Sequence, residues 1–468
     1  MKEYNELRAQ FKKQDKSKVK FKKQNNTKIN YKDYLINGNF KIAIWGTGYI
    51  GLSTMAFFAK NKVKCVGYDI DKKKVNLINA GNFPIKEIKG WFGFNIKNLV
   101  KLNYLKATND YTTFYDNSFI AHFIAIPTEQ DGKPYFKILF NVLQRLVKIL
   151  KKKNKIKPVI IIESTLSPKC SEKKVLPFFK KHNLIPGKDF IYGVAPRRDW
   201  FVENTKSLVE IDRVFGSTNI ASSKIIKNIL SIVCKNLHEA TSHKVSEMVK
   251  SIENSYRHME ITLANQLSIA YPNENMREVL KLVGTKWNVG TYHPGFGTGG
   301  YCIPLSSKYV LNEVKNKSKL TLLRETIKTD NNINILIAKS LIKKGYKKIG
   351  VLGLSYKGNL KVAILSPVIP FIQHLKSKGI SVNVFDPHYS KKEINEIVGV
   401  NSFNYPKDLS KFDCIVITTN HKEFKTNSRK LVKYLKNCNF ILDNMKVWEK
   451  INFPQNIDYK ISGEKNWL

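Results

Sequence analysis

Six residues near the start of the chain, Gly46-Thr47-Gly48-Tyr49-Ile50-Gly51, constrain the fold more than any other feature. They directly follow the apolar run Lys41 to Trp45 and precede the helix-like run Leu52 to Ala59. Strand, glycine turn and helix in that order open a βαβ unit whose helix N-terminus faces the turn. Gly46 permits the turn, Gly48 lets the backbone approach a pyrophosphate, and Gly51 lets helix and strand pack closely, with Tyr49 and Ile50 in the same phosphate-facing segment. A second strand-like run, Val63 to Tyr68, ends at Asp69, 18 residues after Gly51. A carboxylate there accepts hydrogen bonds from an adenosine ribose and repels a 2′-phosphate, which points to NAD rather than NADP. Lys74 is a candidate phosphate contact beside it. A glycine turn with an unrelated aspartate is the plain alternative, and the order of strand, glycines, helix and acid argues against it.

From Phe40 onward short β-rich runs alternate with amphipathic stretches, the clearest being Lys41 to Trp45, Val63 to Tyr68, Phe119 to Ile126 and Pro158 to Glu163. That alternation predicts a parallel sheet with crossover helices. Between 218 and 325 helical periodicity takes over, with Val245, Met248, Ile252, Met259 and Leu263 at three- and four-residue steps. Strand-like runs return at Ile349 to Leu354, Val382 to Phe385, Cys414 to Thr418 and Phe440 to Leu442. The expected fold is therefore α/β: two Rossmann-like, doubly wound parallel-sheet domains, at 39–217 and 326–468, joined by a central helical domain at 218–325. Residues 1–38, rich in Lys and Asn with few apolar side chains, are expected to form a basic, disordered tail.

Lys and Arg total 80 against 37 Asp and Glu, a net charge of +43 that attracts polyanions, phosphorylated metabolites among them. The lysines are spread over the whole chain, with no recognition helix or RNA-binding aromatic motif, so no specific nucleic-acid partner is expected. Cys65, Cys170, Cys234, Cys302, Cys414 and Cys438 lie far apart, with no CxxC or Cys/His cluster, so no metal site is expected. No apolar run approaches the roughly 20 residues that span a bilayer, and no signal-peptide segment is present. The expectation is a cytoplasmic protein with reduced thiols and no transmembrane segment.

Two further segments carry chemistry. In Pro294-Gly295-Phe296-Gly297-Thr298-Gly299-Gly300-Tyr301-Cys302-Ile303-Pro304, four glycines crowd one cysteine. Glycines bring a backbone close to a ligand and expose the side chain that follows, so Cys302 is a candidate nucleophile that captures a carbonyl as a thiohemiacetal. Taken alone, a cysteine beside a turn is more often a buried one. Glu247, Lys250, Asn254 and Arg257 fall along one face of a helix. Such a stripe is ordinarily a solvated face, but a desolvated lysine beside an amide is also a means of stabilising an oxyanion.

These segments, together with Glu163-Ser164-Thr165-Leu166-Ser167-Pro168, Glu253 to Arg257, Gly353 to Asn359 and Phe385-Asp386-Pro387, occur in an order that resembles the UDP-glucose/GDP-mannose dehydrogenase family, from about Phe40 to near the C-terminus. The resemblance implies an NAD-binding domain, a central helical domain used for homodimerisation and a C-terminal domain that binds the nucleotide of a UDP-sugar. It implies oxidation of the sugar's C6 alcohol to a carboxylate by two NAD, with the intermediate held on Cys302. Thr165 resembles a water-ordering threonine, Lys250 and Asn254 an oxyanion-stabilising pair, and Pro127 and Thr128 a cofactor-side loop. Arg198, Arg257, Phe296, Gly297, Tyr356 and Lys357 resemble substrate-cleft positions. Leu305, with Thr285 and Lys286, is similar to the branch acting on UDP-N-acetylhexosamines, with UDP-glucose the next candidate. Three positions depart from the family pattern: Arg197 stands where a catalytic glutamate is expected, Ser306 where an aspartate is, and Ile364 where an arginine is, with Lys361 nearby in place of another aspartate. Losing the carboxylates weakens water activation, which leaves two readings: a dehydrogenase with rearranged chemistry around Glu163, Asp199 or Glu203, or a nucleotide-sugar-binding homologue with impaired turnover.

Overall fold

The structure is a computed structural model that describes residues 30–85, 89–130, 132–152, 155–199, 201, 206–425 and 431–468. Strands β1 (Lys41–Trp45), β2 (Lys64–Tyr68), β3 (Leu105–Thr108), β4 (Phe119–Ile124), β5 (Val159–Ile162), β6 (Ile191–Val194), β7 (Arg213–Ser217) and β8 (Leu237–Glu239) form one sheet. Their order is β8-β7-β6-β5-β4-β1-β2-β3, parallel throughout except between β6 and β7. Successive side chains alternate sides, so Ile42 and Ile44 enter one core layer while Ala43 and Trp45 enter the other. Trp45 is fully buried and meets Phe114 edge-on at 4.9 Å. Truncating a ring packed this way costs about 3–5 kcal/mol. Between β4, β1 and β2 the strand order reverses, which opens a crevice at the carboxyl ends of these strands.

The second sheet, β9 (Lys348–Leu352), β10 (Ser381–Phe385), β11 (Cys414–Ile417), β12 (Phe440–Asp443) and β13 (Asp458–Ile461), runs β10-β9-β11-β12-β13 and is wholly parallel. Here too Val351, Val416 and Leu442 fill one layer and Leu352, Ile415 and Ile441 the other. The expected architecture of two Rossmann-like sheet domains around a helical centre is what the chain adopts.

Its limits differ from the expected ones. β8 and the helix Ile220–Leu230 belong to the first sheet, so that unit runs past 217. The strand Leu237–Glu239 is short and polar and carries no alternating apolar signal. The helix Thr321–Lys343 crosses the expected boundary at 325. Residues 31–36, assigned to the tail, form a helix that buries Tyr31 and Leu35 against the first core. Residues 1–29 lie outside the described residues. Among the described residues no helix is long and apolar enough to cross a membrane.

A 28-residue helix, His243–Ala270, joins the two halves. Ser242 caps its start by accepting from the Val245 N–H. The apolar periodicity locates this helix correctly, yet its core-facing side is the polar one. Glu247, Lys250, Asn254, Ser255, His258 and Asn265 are buried, while Val245, Met248, Tyr256 and Leu263 are exposed. The inversion holds because the helix packs on Ile303–Glu313 and Thr321–Lys343, whose Ser306, Ser307 and Asp330 meet Asn254 and His258, while Ser171 and the Gly295 N–H meet Glu247 and Asn265.

Candidate active site

At the carboxyl end of β1, Gly46 has φ +91°, and a Cβ there would meet the Ala125 carbonyl oxygen at 2.5 Å. A Cβ on Gly51 would collide with the Gly46 carbonyl oxygen, whereas one on Gly48 would meet nothing within 4 Å among the described residues. Gly48 N-caps the helix Tyr49–Lys60 without a side-chain cap hydrogen bond among the described residues. Asp69 accepts from the Thr47 N–H at 3.0 Å and hydroxyl at 2.8 Å, and from the Asp71 N–H at 3.0 Å. Burial opposes ionisation of Asp69, but these hydrogen bonds, with Lys74 nearby, hold its carboxyl below the ordinary range. A glycine turn at a helix N-terminus beside an ionised acid is an arrangement suited to a dinucleotide.

Cys302 is the exposed member of six free cysteines, the other five being buried. It sits at the start of the helix Ile303–Glu313, after Gly297 at φ +103° and Gly300 at φ +79°. The side chain of Tyr356 packs on this loop so closely that a Cβ on Gly299 would lie 2.5 Å from its Cβ and one on Gly300 2.5 Å from its ring. Asn254 donates to the Cys302 carbonyl at 3.3 Å and to the Ser306 hydroxyl at 3.0 Å. Lys250, one turn earlier and buried, places Nζ 3.5 Å from Glu253, whose other oxygen accepts from Arg198 Nε at 2.6 Å. Burial pushes the Tyr356 hydroxyl up to about 12, with Cys302, Tyr49 and Tyr301 adding to the effect, so Tyr49 of the glycine turn and the cysteine share one neighbourhood. Burial also lowers the Lys357 ammonium, a shift that Cys302 opposes and Arg257 reinforces.

The loops after β4 and β5 are fastened to the same place. Thr128 donates to the Thr165 carbonyl at 2.6 Å, and the Thr128 carbonyl accepts from Tyr309 on the helix that follows Cys302, at 2.8 Å. Thr165 is half-buried and Pro127 exposed. Phe296 buries its ring against Phe371 and, with Gly297, lines a cavity of about 760 Å³ between the long helix and the second sheet. Arg277, Asn265, Tyr356 and Thr419 also line it. Burial draws the Arg277 guanidinium below its usual value while its Nη2 donates to the Asn444 carbonyl at 2.6 Å.

Arg197 does not stand free in place of a glutamate. Its guanidinium is fully enclosed, bidentate on Asp199 at 2.6 and 2.8 Å, and donates to Ser53 and Thr54. Burial works against its charge, but Asp199 and Glu163 outweigh that and raise its pKa. Glu163 accepts from Thr54 at 2.6 Å and is paired with Arg213. The carboxylates of Glu163 and Asp199 are thus committed to buried arginines, and Glu203 lies outside the described residues. Ile364 contributes its backbone carbonyl, which accepts from the Gly300 N–H at 3.0 Å.

Sequence reasoning missed Tyr309, Ser307, His258, Asp330 and Arg277, since an isolated polar residue on a helix carries no motif. It also missed a group of possible metal ligands, His388, His421 and Glu423, whose ligand atoms lie within 4.8 Å of one another. Both ring nitrogens of His421 are engaged, one by the Asn359 N–H at 2.9 Å and the other by Asp386 at 3.2 Å.

Signatures of the UDP-glucose/GDP-mannose dehydrogenase family match in chain order: its NAD binding domain at 40–233, its central domain at 244–332 and its UDP binding domain at 350–450. Protein CapL of Staphylococcus aureus is 30% identical over 424 residues, covering 86% of this chain and 95% of CapL. A UDP-N-acetyl-D-mannosamine dehydrogenase of Methanococcus maripaludis is 29% identical, covering 83% of this chain and 88% of its own. Among solved structures, a UDP-D-ManNAc dehydrogenase from Pyrococcus horikoshii superposes with a TM-score of 0.78 at 25% identity, over 91% of this chain and 100% of that one.

Proposed function

Because the chain belongs to the UDP-glucose/GDP-mannose dehydrogenase family and carries its NAD-binding domain, we propose that it oxidises the C6 alcohol of a UDP-N-acetylhexosamine to the uronate in the cytoplasm. The observation that carries this reading is the convergence of exposed Cys302, the Asn254 amide on its carbonyl, and buried Lys250 one turn away. NAD, bound at the Gly46 to Gly51 turn, supplies the hydride acceptor twice, so that alcohol and one water become carboxylate, two NADH and three protons. Lys250 and Asn254 stabilise the charge that develops on the C6 oxygen. The Cys302 sulfur adds to the aldehyde carbon and the carbonyl oxygen takes up the proton, giving a thiohemiacetal, which the second oxidation turns into a thioester. Thr165 orders the water that breaks the C–S bond and returns the thiol. Arg198, Arg257, Tyr356 and Lys357 hold the sugar nucleotide, with Phe296 and Gly297 shaping its cavity.

The exposed apolar face of the long helix, with Val245, Met248, Tyr256 and Leu263, supports a homodimer through the central region. A second reading, a binding homologue with impaired turnover, is favoured by the engagement of Glu163 and Asp199 with Arg197 and Arg213. A panel of UDP-N-acetylmannosamine, UDP-N-acetylglucosamine and UDP-glucose with NAD, followed by NADH absorbance, separates the two. The dehydrogenase reading expects two NADH per uronate with an N-acetylhexosamine substrate. Nucleotide-sugar binding without NADH from any of them supports the second.

A further inference from the structure

Behind the cysteine runs a buried chain of polar groups that neither the dinucleotide cradle nor the substrate cavity uses. Asp330, on the helix Thr321–Lys343, accepts from the Thr298 N–H at 3.0 Å and from the Thr298 hydroxyl at 2.5 Å. The same carboxylate lies 3.1 Å from His258 Nε2, and His258 Nδ1 lies 2.9 Å from the Ser307 hydroxyl. A carboxylate only accepts, so Nε2 carries a proton directed at Asp330. Thr298, Ser307, His258 and Asp330 are all buried. Ser307 is therefore no nucleophile, although the sequence of groups is Ser, His, Asp.

The placement of this chain assigns it another task. Thr298 precedes Cys302 in the glycine loop and Ser307 follows it on the next helix, so the chain holds the cysteine's segment from both sides. Asn254, one turn from His258 on the same helix face, holds the middle through the Cys302 carbonyl and Ser306. The loop itself contributes little stiffness, because Gly297 and Gly300 adopt conformations that glycine enters freely.

We infer that Asp330 and His258 are positioning residues that hold the Cys302 sulfur where it meets the aldehyde. The inference rests on the covalent reading above and deepens it. The first oxidation, of an alcohol, needs no sulfur, whereas the second requires the S–C bond. Loss of positioning therefore separates the two oxidations, which a general loss of stability does not.

The test uses the full chain with the UDP-sugar that it accepts, NAD and semicarbazide to trap free aldehyde. The parent should yield two NADH per uronate and no trapped aldehyde. In His258→Ala the first oxidation and the KM for the sugar should stay within about threefold, while uronate formation falls on the order of 100-fold, as small misplacements of reacting atoms do, and trapped aldehyde accumulates. Thr298→Ser keeps both bonds to Asp330 and should behave as the parent, whereas Thr298→Val loses one and should shift toward aldehyde. That pair carries the test if His258→Ala does not fold. A fall of both oxidations by the same factor, or unchanged uronate yield, overturns the positioning role alone. A parent that makes no NADH, or uronate from Cys302→Ala, overturns the covalent reading and this inference with it.

Discussion

A guanidinium enclosed by Asp199, Glu163, Ser53 and Thr54 is tolerated because each of its faces meets an acceptor. Arg197→Glu would set a third carboxylate beside two that are already buried, with Arg213 the remaining cation of this network. A loss of about 3–5 kcal/mol or more in unfolding free energy is expected, as for breaking one partner out of a buried ion pair. A urea melt with an unchanged midpoint would contradict this. The arginine's position in the sequence revealed that a carboxylate was missing, but not that the cation was structural, because Asp199, Ser53 and Thr54 meet it only in three dimensions. Asp69 was legible from its strand and spacing. Asp69→Ala removes an ionised acceptor worth about 1.5–3 kcal/mol, so NAD should bind roughly 10- to 100-fold more weakly and NADP should be rejected less. Titration with both cofactors decides it, and parent-like affinity and selectivity would remove Asp69 from the ribose site.

At the scale of elements, the long helix was found through its apolar spacing, while its burial ran the other way. Periodicity shows that a helix has two faces, and partners on other helices determine which face turns inward. The short strand Leu237–Glu239 escaped for a related reason: pairing within the sheet, rather than its own composition, makes it a strand. Glu247 shows what the inversion costs. Burial, against hydrogen bonds from Ser171, raises its carboxyl to about 7 from an ordinary 4.5. The fold thus favours the protonated form. Its contribution to stability is complete below about pH 4.5 and is lost as pH rises through about 7, by at most about 3 kcal/mol. Glu247→Gln should flatten this decline in urea melts taken across that window. Equal slopes in parent and variant would show that Glu247 is not the group responsible.

Across the whole molecule, β1, β2, β4, β5, β6 and β9 direct their carboxyl ends, and with them Gly46, Asp69, Pro127, Thr165, Arg198 and Tyr356, toward the region where the long helix meets the cysteine loop through Asn254. Alternation of strands and helices made the two sheets legible, and glycine-rich context singled out Cys302. The fastening of loops to the helix behind it, through Thr128, Tyr309 and His258, arises from side chains far apart in sequence and was not legible. With Glu163 and Asp199 engaged by arginines, water attack on the thioester should be slow relative to both oxidations. The most direct test mixes enzyme, a saturating UDP-N-acetylhexosamine and NAD, and follows NADH together with intact protein mass. The expected result is a burst of up to two NADH per site, then slower turnover, with a sugar adduct that is present in the parent and absent from Cys302→Ala. A linear time course without adduct, and uronate from Cys302→Ala at the parent's rate, would contradict the covalent account.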